Sequence, residues 1–163
     1  MINKGLFSNN SDEWGTPQDL FDKLNEEFHF TLDVCASKQS AKCKKYFTKE
    51  DNALIQDWSN DICFMNSPYS RIQDKFVKKA KEESDKGSTV VCLLPARTDT
   101  KRFFNYIWDE NLHKPRERVE IRFVKGRLKF ESFGNKTGCK YFNNAAPFPS
   151  MIVIFYPKKR NNK

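Results

Sequence analysis

Glycine and histidine are scarce in this chain of 163 residues, which has 6 glycines and 2 histidines. No glycines are arranged as G-x-G-x-x-G, so the usual signature of a dinucleotide-binding loop is absent. The 5 cysteines include no C-x-x-C pair, and neither histidine lies near a cysteine pair at zinc-finger spacing. These absences argue against a structural zinc site, and we predict that the protein holds no metal.

Long apolar runs are also missing, as is the N-terminal pattern of a signal peptide. We therefore expect no association with a membrane. Cys63 and Cys92 lie inside apolar runs, which is typical of buried, reduced thiols. Because reduced thiols persist in a reducing compartment, the sequence predicts a cytoplasmic protein.

Positive charge and aromatic side chains are plentiful, with a net charge of +8 and 15 phenylalanines. The length predicts a single domain, which we place at 14–157 between a flexible segment (1–13) and a basic tail (158–163). A basic chain favours a polyanionic partner, nucleic acid first, although charge alone leaves this open.

Helix and strand patterns alternate along the first two thirds of the chain, which predicts crossover connections and a largely parallel sheet. Thr16 and Pro17 predict the start of the first helix, as N-cap and first helical residue, and Gly87 predicts the end of another. Further helices are predicted over 37–45 and after Asp99. The predicted strands are 30–34, 62–65, 89–94, 119–123, 128–130 (a hairpin with 119–123 across Gly126) and 151–156. The last strands, close together in sequence, predict an antiparallel edge.

The most informative segment is Asn66-Ser67-Pro68-Tyr69, which directly follows the apolar strand 62–65. It places an amide oxygen, a main-chain carbonyl and an aromatic ring at the carboxyl end of a buried strand, where sheets of this kind bind ligands. Two acceptors and a ring suit an exocyclic amine on a planar base, and the reaction that fits is methyl transfer to the N6 of adenine. The alternative is an ordinary turn after a strand, since these residue types are common in turns.

The chain resembles the phage DNA N-6-adenine methyltransferases, a Dam-like family, over roughly 14–157. The resemblance depends on blocks that occur in a fixed order: Trp14–Pro17, Phe30–Ser37, Tyr46–Leu54 with Asp57-Trp58, Asn66–Ser70, Leu93–Thr100, Gly126–Leu128 and Pro147–Ser150. The resemblance implies a Rossmann-like α/β fold with helices on both faces of the sheet, S-adenosylmethionine as methyl donor and adenine in DNA as acceptor. One departure is Ser67, where the family pattern usually has proline.

The resemblance also implies the residues of the site. The catalytic residues would be Asn66, Ser67, Pro68 and Tyr69. The cofactor would contact Trp14, Thr16, Pro17, Asp33, Cys35, Ala36, Ser37, Asp51, Asn52 and Leu54, with Asp33 binding its ammonium or its ribose. Asp57 is a second candidate for the contact with the cofactor adenine.

DNA contacts are expected from basic and amide side chains near the site and in a late loop. These candidates are Arg71, Arg97, Lys101, Arg102, Lys136, Lys140 and Asn143. The alternatives are solvated helix faces, surface ion pairs, and a loop whose aromatic residues only seal the core.

Three functions stay open at this point. The first is a DNA adenine-N6 methyltransferase, phage-borne, acting in a bacterial cytoplasm as a monomer or weak homo-oligomer. The second is a DNA-binding module with a degenerate methyltransferase fold, which Ser67 keeps open. The third, a glutamine methyltransferase of release factors, is disfavoured by the basic charge and the absent glycine-rich loop.

Overall fold

A computed structural model describes residues 14–131 and 145–158 of the chain. Its main feature is a sheet of six strands in the order β2-β1-β3-β4-β8-β7. These strands are β1 (Leu32–Asp33), β2 (Lys45–Tyr46), β3 (Ile62–Met65), β4 (Thr89–Pro95), β7 (Val119–Phe123) and β8 (Ser150–Phe155). A separate two-stranded sheet consists of β5 (Trp108–Asp109) and β6 (Lys114–Pro115).

The first four strands of the main sheet run parallel and the last two are antiparallel to their neighbours. β1 pairs with β2 and β3, and β3 pairs with β4, all in parallel. β8 lies between β4 and β7 and is antiparallel to both. All six residues of β8 are buried, as its continuous apolar sequence predicts for an internal strand.

Helices cover both faces of this sheet. Helix α1 (Gln18–Phe28) packs Phe21 and Leu24 against one face, together with Phe64 of β3. Helix α2 (Gln73–Lys86) packs Phe76, Val77 and Ala80 against the other face, together with Cys63 and Met65. Because successive strand residues point to opposite faces, the two apolar clusters lie on opposite sides of β3. The predicted α/β, Rossmann-like fold with a mostly parallel sheet and an antiparallel edge is confirmed.

Two predictions in the N-terminal half were wrong because side-chain hydroxyls make hydrogen bonds other than those of the predicted helices. Thr16 does not cap α1; its hydroxyl binds Asn66, and the N–H of Gln18 donates instead to the carboxylate of Glu131 at 3.0 Å. The segment 37–45 is not a helix, because the hydroxyls of Ser37 and Ser40 bind each other's main-chain N–H groups and form a turn.

In the second half one prediction failed and another was confirmed in part. Residues 128–130 form no hairpin strand with β7, whose partner is β8, and the N–H of Val124 extends that pairing to the carbonyl of Ser150. A helix does follow Asp99, as predicted, but it is short: residues 101–102 continue into a π-helix (Phe103–Ile107), and Trp108 already belongs to β5. The predicted end of α2 at Gly87 is confirmed, since Gly87 has a φ of 121° there.

The structure also bears on two predictions about buried cysteines and membrane-spanning segments. Cys63 and Cys92 are fully buried, as the apolar runs predicted. No helix in residues 14–131 or 145–158 combines the length and the apolar character needed to cross a bilayer.

Candidate active site

The site lies where two neighbouring parallel strands end. Asp33 is the last residue of β1, and Asn66 directly follows β3. The strands are paired so that Asp33 lies opposite Phe64, one pleat before Asn66. Alternation along the strands places Asp33 and Asn66 on the same face as Phe64, which is the face covered by α1. The fold therefore brings these two side chains to the carboxyl ends of neighbouring strands, on the same face of the sheet.

The side-chain amide of Asn66 is held by its nitrogen. Nδ2 donates to the main-chain carbonyl of Trp14 and, at 3.0 Å, to Oγ1 of Thr16. Because a carbonyl can only accept, the nitrogen of the amide must face Trp14, and this fixes where the oxygen points. That oxygen, Oδ1, is buried and has no hydrogen-bond partner among the described residues. Asn66 therefore presents a fixed acceptor that is not used within the fold.

Ser67 is the next residue along the chain, and its main-chain carbonyl is the second predicted acceptor. Its side chain is buried, and its Oγ receives a hydrogen bond of 3.4 Å from Nε2 of Gln73. Across residues 14–131 and 145–158, no N–H donates to the main-chain carbonyl of Ser67. The carbonyl of Ser67 is therefore not used by the described part of the fold, and its role as an acceptor stays a prediction.

Tyr69 belongs to a group of four rings, which we call the aromatic cluster: Trp14, Tyr69, Phe130 and Phe148. The Tyr69 ring is stacked with Trp14 at 6.2 Å between centroids and meets Phe148 edge-on at 5.3 Å. Its hydroxyl is buried and lacks a hydrogen-bond partner in the described part of the chain, and burial raises the pKa of Tyr69. Tyr69 is therefore a neutral ring at neutral pH.

Because Oδ1 of Asn66 is closed to solvent, a planar base reaches it only when a neighbouring side chain moves.

Asp33 is a buried carboxyl group with few donors around it. Its oxygens accept the main-chain N–H groups of Cys35 at 3.3 Å and Lys42 at 3.1 Å. Burial raises its pKa to about 6, because these two hydrogen bonds offset only part of the cost of removing the charge from water. A carboxylate in this state favours a cationic or strongly donating ligand.

The loop after Asp33 is small and tightly bonded. Main-chain hydrogen bonds join Ala36 to Phe47 and Phe47 to Asp33, which hold β1 beside the segment after β2. Burial raises the pKa of the Cys35 thiol well above its usual range, so Cys35 remains a neutral thiol. Ser37 uses its hydroxyl to close the turn with Ser40.

The segment expected to flank the cofactor adenine lies near the surface. Asp51 is exposed, and its carboxylate accepts hydrogen bonds of 2.8 Å from both N and Oγ1 of Thr48, which lower its pKa. Asn52 has a φ of 52°, and Leu54 is half-buried against the core. Asp57 is exposed and binds the N–H of Ser59. The role of this segment in cofactor binding stays a prediction.

The basic residues proposed for DNA fall into three groups. Arg71, Arg97 and Lys101 are exposed. Arg102 forms an ion pair of 2.7 Å with Asp74 of α2, with 12% of its side chain exposed. The remaining candidates, Lys136, Lys140 and Asn143, lie outside the described residues.

Sequence reasoning missed a polar network that connects the site to distant parts of the chain. Nζ of Lys42 binds the carboxylate of Glu131 at 3.0 Å and Oε1 of Gln18 at 2.7 Å. Gly15 and Glu131 also exchange main-chain hydrogen bonds. This network holds the Trp14–Thr16 segment beside the loop after β1. Its partners are far apart in sequence, so no local pattern pointed to it.

Metal ligands are not grouped in the part of the chain that the structure describes. Within residues 14–131 and 145–158, no three or more His, Cys, Asp or Glu side chains are placed so that they could hold an ion.

Comparison with known proteins identifies the family of this chain. A family model described as DNA N-6-adenine-methyltransferase (Dam) matches residues 5–163. The chain is 32% identical over 160 residues to the DNA N-6-adenine-methyltransferase of Haemophilus phage HP1, covering 97% of this chain and 86% of that protein. It is 36% identical over 94 residues to the enzyme of the same name from Escherichia phage T1, covering 56% of this chain and 39% of that protein. The resemblance seen in the sequence blocks is thereby confirmed, and the chain belongs to the DNA N-6-adenine-methyltransferase (Dam) family.

Proposed function

We propose that this protein transfers a methyl group from S-adenosylmethionine to the N6 of adenine in DNA. The observation that carries the proposal is Oδ1 of Asn66, a buried acceptor that has no partner among the described residues and is held in place by the two hydrogen bonds of its own Nδ2. Membership of the Dam family supports the choice of adenine and DNA.

Two acceptors solve the main chemical difficulty of this substrate. The adenine amine is a weak nucleophile because its lone pair is delocalised into the ring. Oδ1 of Asn66 and the carbonyl of Ser67 would each accept one N–H, which draws the nitrogen toward tetrahedral geometry and localises the lone pair. Pro68 holds the turn without an N–H of its own that would compete for these oxygens. The methylated amine is acidic enough to lose its proton to water, so no strong base is required.

Tyr69 would hold the base in place. Stacking of a base on an aromatic side chain contributes about 1–3 kcal/mol. A base in duplex DNA must leave the stack to reach a buried oxygen, as in other enzymes that modify bases. The aromatic cluster would open to admit the base between its rings, with Trp14 and Phe148 as the neighbours of Tyr69 that have to move.

The residues around Asp33 fit the proposed methyl donor. S-adenosylmethionine carries an ammonium group and ribose hydroxyls, and it supplies a methyl carbon made electrophilic by its sulfonium. Asp33, whose buried carboxylate accepts main-chain N–H groups from Cys35 and Lys42, would hold the ammonium or the ribose. The residues proposed to line the rest of this position are Trp14, Thr16, Pro17, Cys35, Ala36, Ser37, Asp51, Asn52 and Leu54.

The proposal is tested by incubating the protein with labelled S-adenosylmethionine and unmethylated DNA and identifying the modified nucleoside. We expect N6-methyladenine. Tyr69→Ala should lower the rate about 5-fold to 150-fold, since 1–3 kcal/mol of stacking is lost. Tyr69→Phe is the matched control and should lose less than about threefold, because the Tyr69 hydroxyl has no partner among the described residues.

Three outcomes of this experiment would contradict the proposal. Label on cytosine would move the acceptor to another base. Label in protein would favour a glutamine methyltransferase. Donor binding without any transfer to DNA would favour a DNA-binding module with a degenerate methyltransferase fold.

A second prediction concerns ionic strength. We expect the logarithm of DNA affinity to fall linearly with the logarithm of salt concentration, because lysines and arginines displace counterions. Replacing the exposed Arg97 and Lys101 together by glutamine should flatten that slope by about 2, at roughly 0.9 for each phosphate contact. Arg102→Gln should change the slope less, since Arg102 is already paired with Asp74. An unchanged slope in the double variant would remove these residues from the DNA interface.

A further inference from the structure

Ser67 leaves the backbone at this position less restricted than the proline of the usual family pattern would. Proline at this position fixes φ near −65° and so helps to hold the carbonyl that follows it. Serine leaves φ free, and the following Pro68 restricts Ser67 only toward extended conformations. Since the proposed function uses the carbonyl of Ser67 as an acceptor, this chain needs another restraint at position 67.

The first residue of α2 is placed to supply that restraint. Gln73 and Ser67 are both 1% exposed, and Nε2 of Gln73 donates to Oγ of Ser67 at 3.4 Å. The main-chain N–H of Gln73 also donates to the carbonyl of Ser70 at 3.0 Å. Gln73 is therefore bonded to the segment 66–70 at two points, once through its side chain and once through its backbone.

We propose that Gln73 is a positioning residue that takes over the role of the missing proline. Its amide anchors the Ser67 hydroxyl, which restricts the side chain and with it the backbone that orients the neighbouring carbonyl. Gln73 does not contact the base. The inference rests on the proposed function, because the carbonyl matters only if it accepts from the adenine amine.

A merely structural role for Gln73 makes a different prediction. If Gln73 only started α2 or filled space in the core, its replacement would cost the same whatever residue stood at position 67. If it substitutes for proline, its replacement costs activity only while Ser67 is present. The two roles are separated by a double-mutant cycle with Gln73→Met and Ser67→Pro. Methionine keeps the length and unbranched shape of glutamine but lacks the donor.

Ser67→Pro is a suitable second variant for this cycle. Among the described residues, the main-chain N–H of Ser67 makes no hydrogen bond that proline would remove. The wild type, both single variants and the double variant are compared for kcat and for KM for unmethylated DNA. Hydrogen exchange of a peptide that covers 64–72 is measured on the same four proteins.

We expect Gln73→Met to lower kcat about fivefold when Ser67 is present, the effect of one buried hydrogen bond, with KM for DNA nearly constant. In the Ser67→Pro background the same change should cost less than about twofold. Exchange in the 64–72 peptide should accelerate on Gln73→Met only when Ser67 is present. Equal effects in both backgrounds, or no effect in either, would overturn the inference. Absence of methylation in the wild type would count against the proposed function, and the exchange data would still decide the role of Gln73.

Discussion

Replacing Asn66 by alanine is expected to lower kcat by at least about 100-fold with little change in DNA affinity. In other enzymes, removing one preorganised polar group that acts on the reacting atoms lowers the rate by about 10²–10³. Asn66 meets the same condition, since the bonds of its nitrogen to Trp14 and Thr16 fix the position of its oxygen before any base arrives, and that oxygen has no partner among the described residues. The measurement is single-turnover methylation of unmethylated DNA, with binding measured separately.

Two further variants give this prediction a graded control. Thr16→Val keeps the shape of the side chain but removes one of the two acceptors that hold Nδ2, so we expect a loss of about fivefold. Asn66→Asp places an oxygen where Nδ2 now faces the Trp14 carbonyl, and two acceptors repel, so we expect a loss close to that of alanine. Full activity of Asn66→Ala would contradict the mechanism. Equal losses for Thr16→Val and Asn66→Ala would contradict the assignment of Thr16 to orientation alone.

Donor binding is expected to weaken as the pH falls below about 6, by roughly tenfold for each pH unit. Burial raises the pKa of Asp33 to about 6, and the ammonium or ribose of the donor requires the ionised form. Asp33→Asn should bind the donor about 10-fold to 150-fold more weakly, as expected for loss of a charged hydrogen bond, and should lose this pH dependence. Calorimetric titration with S-adenosylmethionine between pH 5 and pH 8 measures both. A flat affinity in the wild type, or unchanged binding by Asp33→Asn, would contradict the assignment.

The same pKa has the opposite effect on folding stability. The folded protein binds the Asp33 proton more tightly than the unfolded chain, because the pKa rises from 3.8 to about 6 on folding. Between these two values, stability from this group decreases as the pH rises, by at most about 3 kcal/mol for a shift of about 2 units. The melting temperature of the wild type relative to Asp33→Asn should therefore be lower at pH 8 than at pH 4. A difference independent of pH would show that Asp33 is not desolvated.

Local patterns predicted the parts of the fold whose causes are local. Gly87 ends α2 because a left-handed conformation suits glycine, and β8 is internal because its sequence is a continuous apolar run. Thr16 failed as an N-cap because its hydroxyl has a better partner 50 residues away in Asn66. The cap of α1 comes from Glu131, 113 residues beyond Gln18, and no window of sequence contains both.

In the candidate site, too, the sequence predicted the features with local causes and missed those that depend on distant residues. The run 62–65 followed by Asn66 predicted an amide at the end of a strand, and the structure has it there. The sequence did not reveal that the carbonyl of Trp14 orients this amide, because a main-chain group has no residue type that marks it. The aromatic cluster was equally hidden, since Phe130 and Phe148 approach Tyr69 only through the fold.

The most direct test of the central claim is a crystal structure with S-adenosylhomocysteine and a duplex of DNA that the protein methylates. The account predicts an adenine outside the stack, with its N6 within about 3.2 Å of both Oδ1 of Asn66 and the carbonyl of Ser67, and its ring against Tyr69. A complex in which the amine contacts other groups while Oδ1 of Asn66 stays buried and unpaired would contradict it.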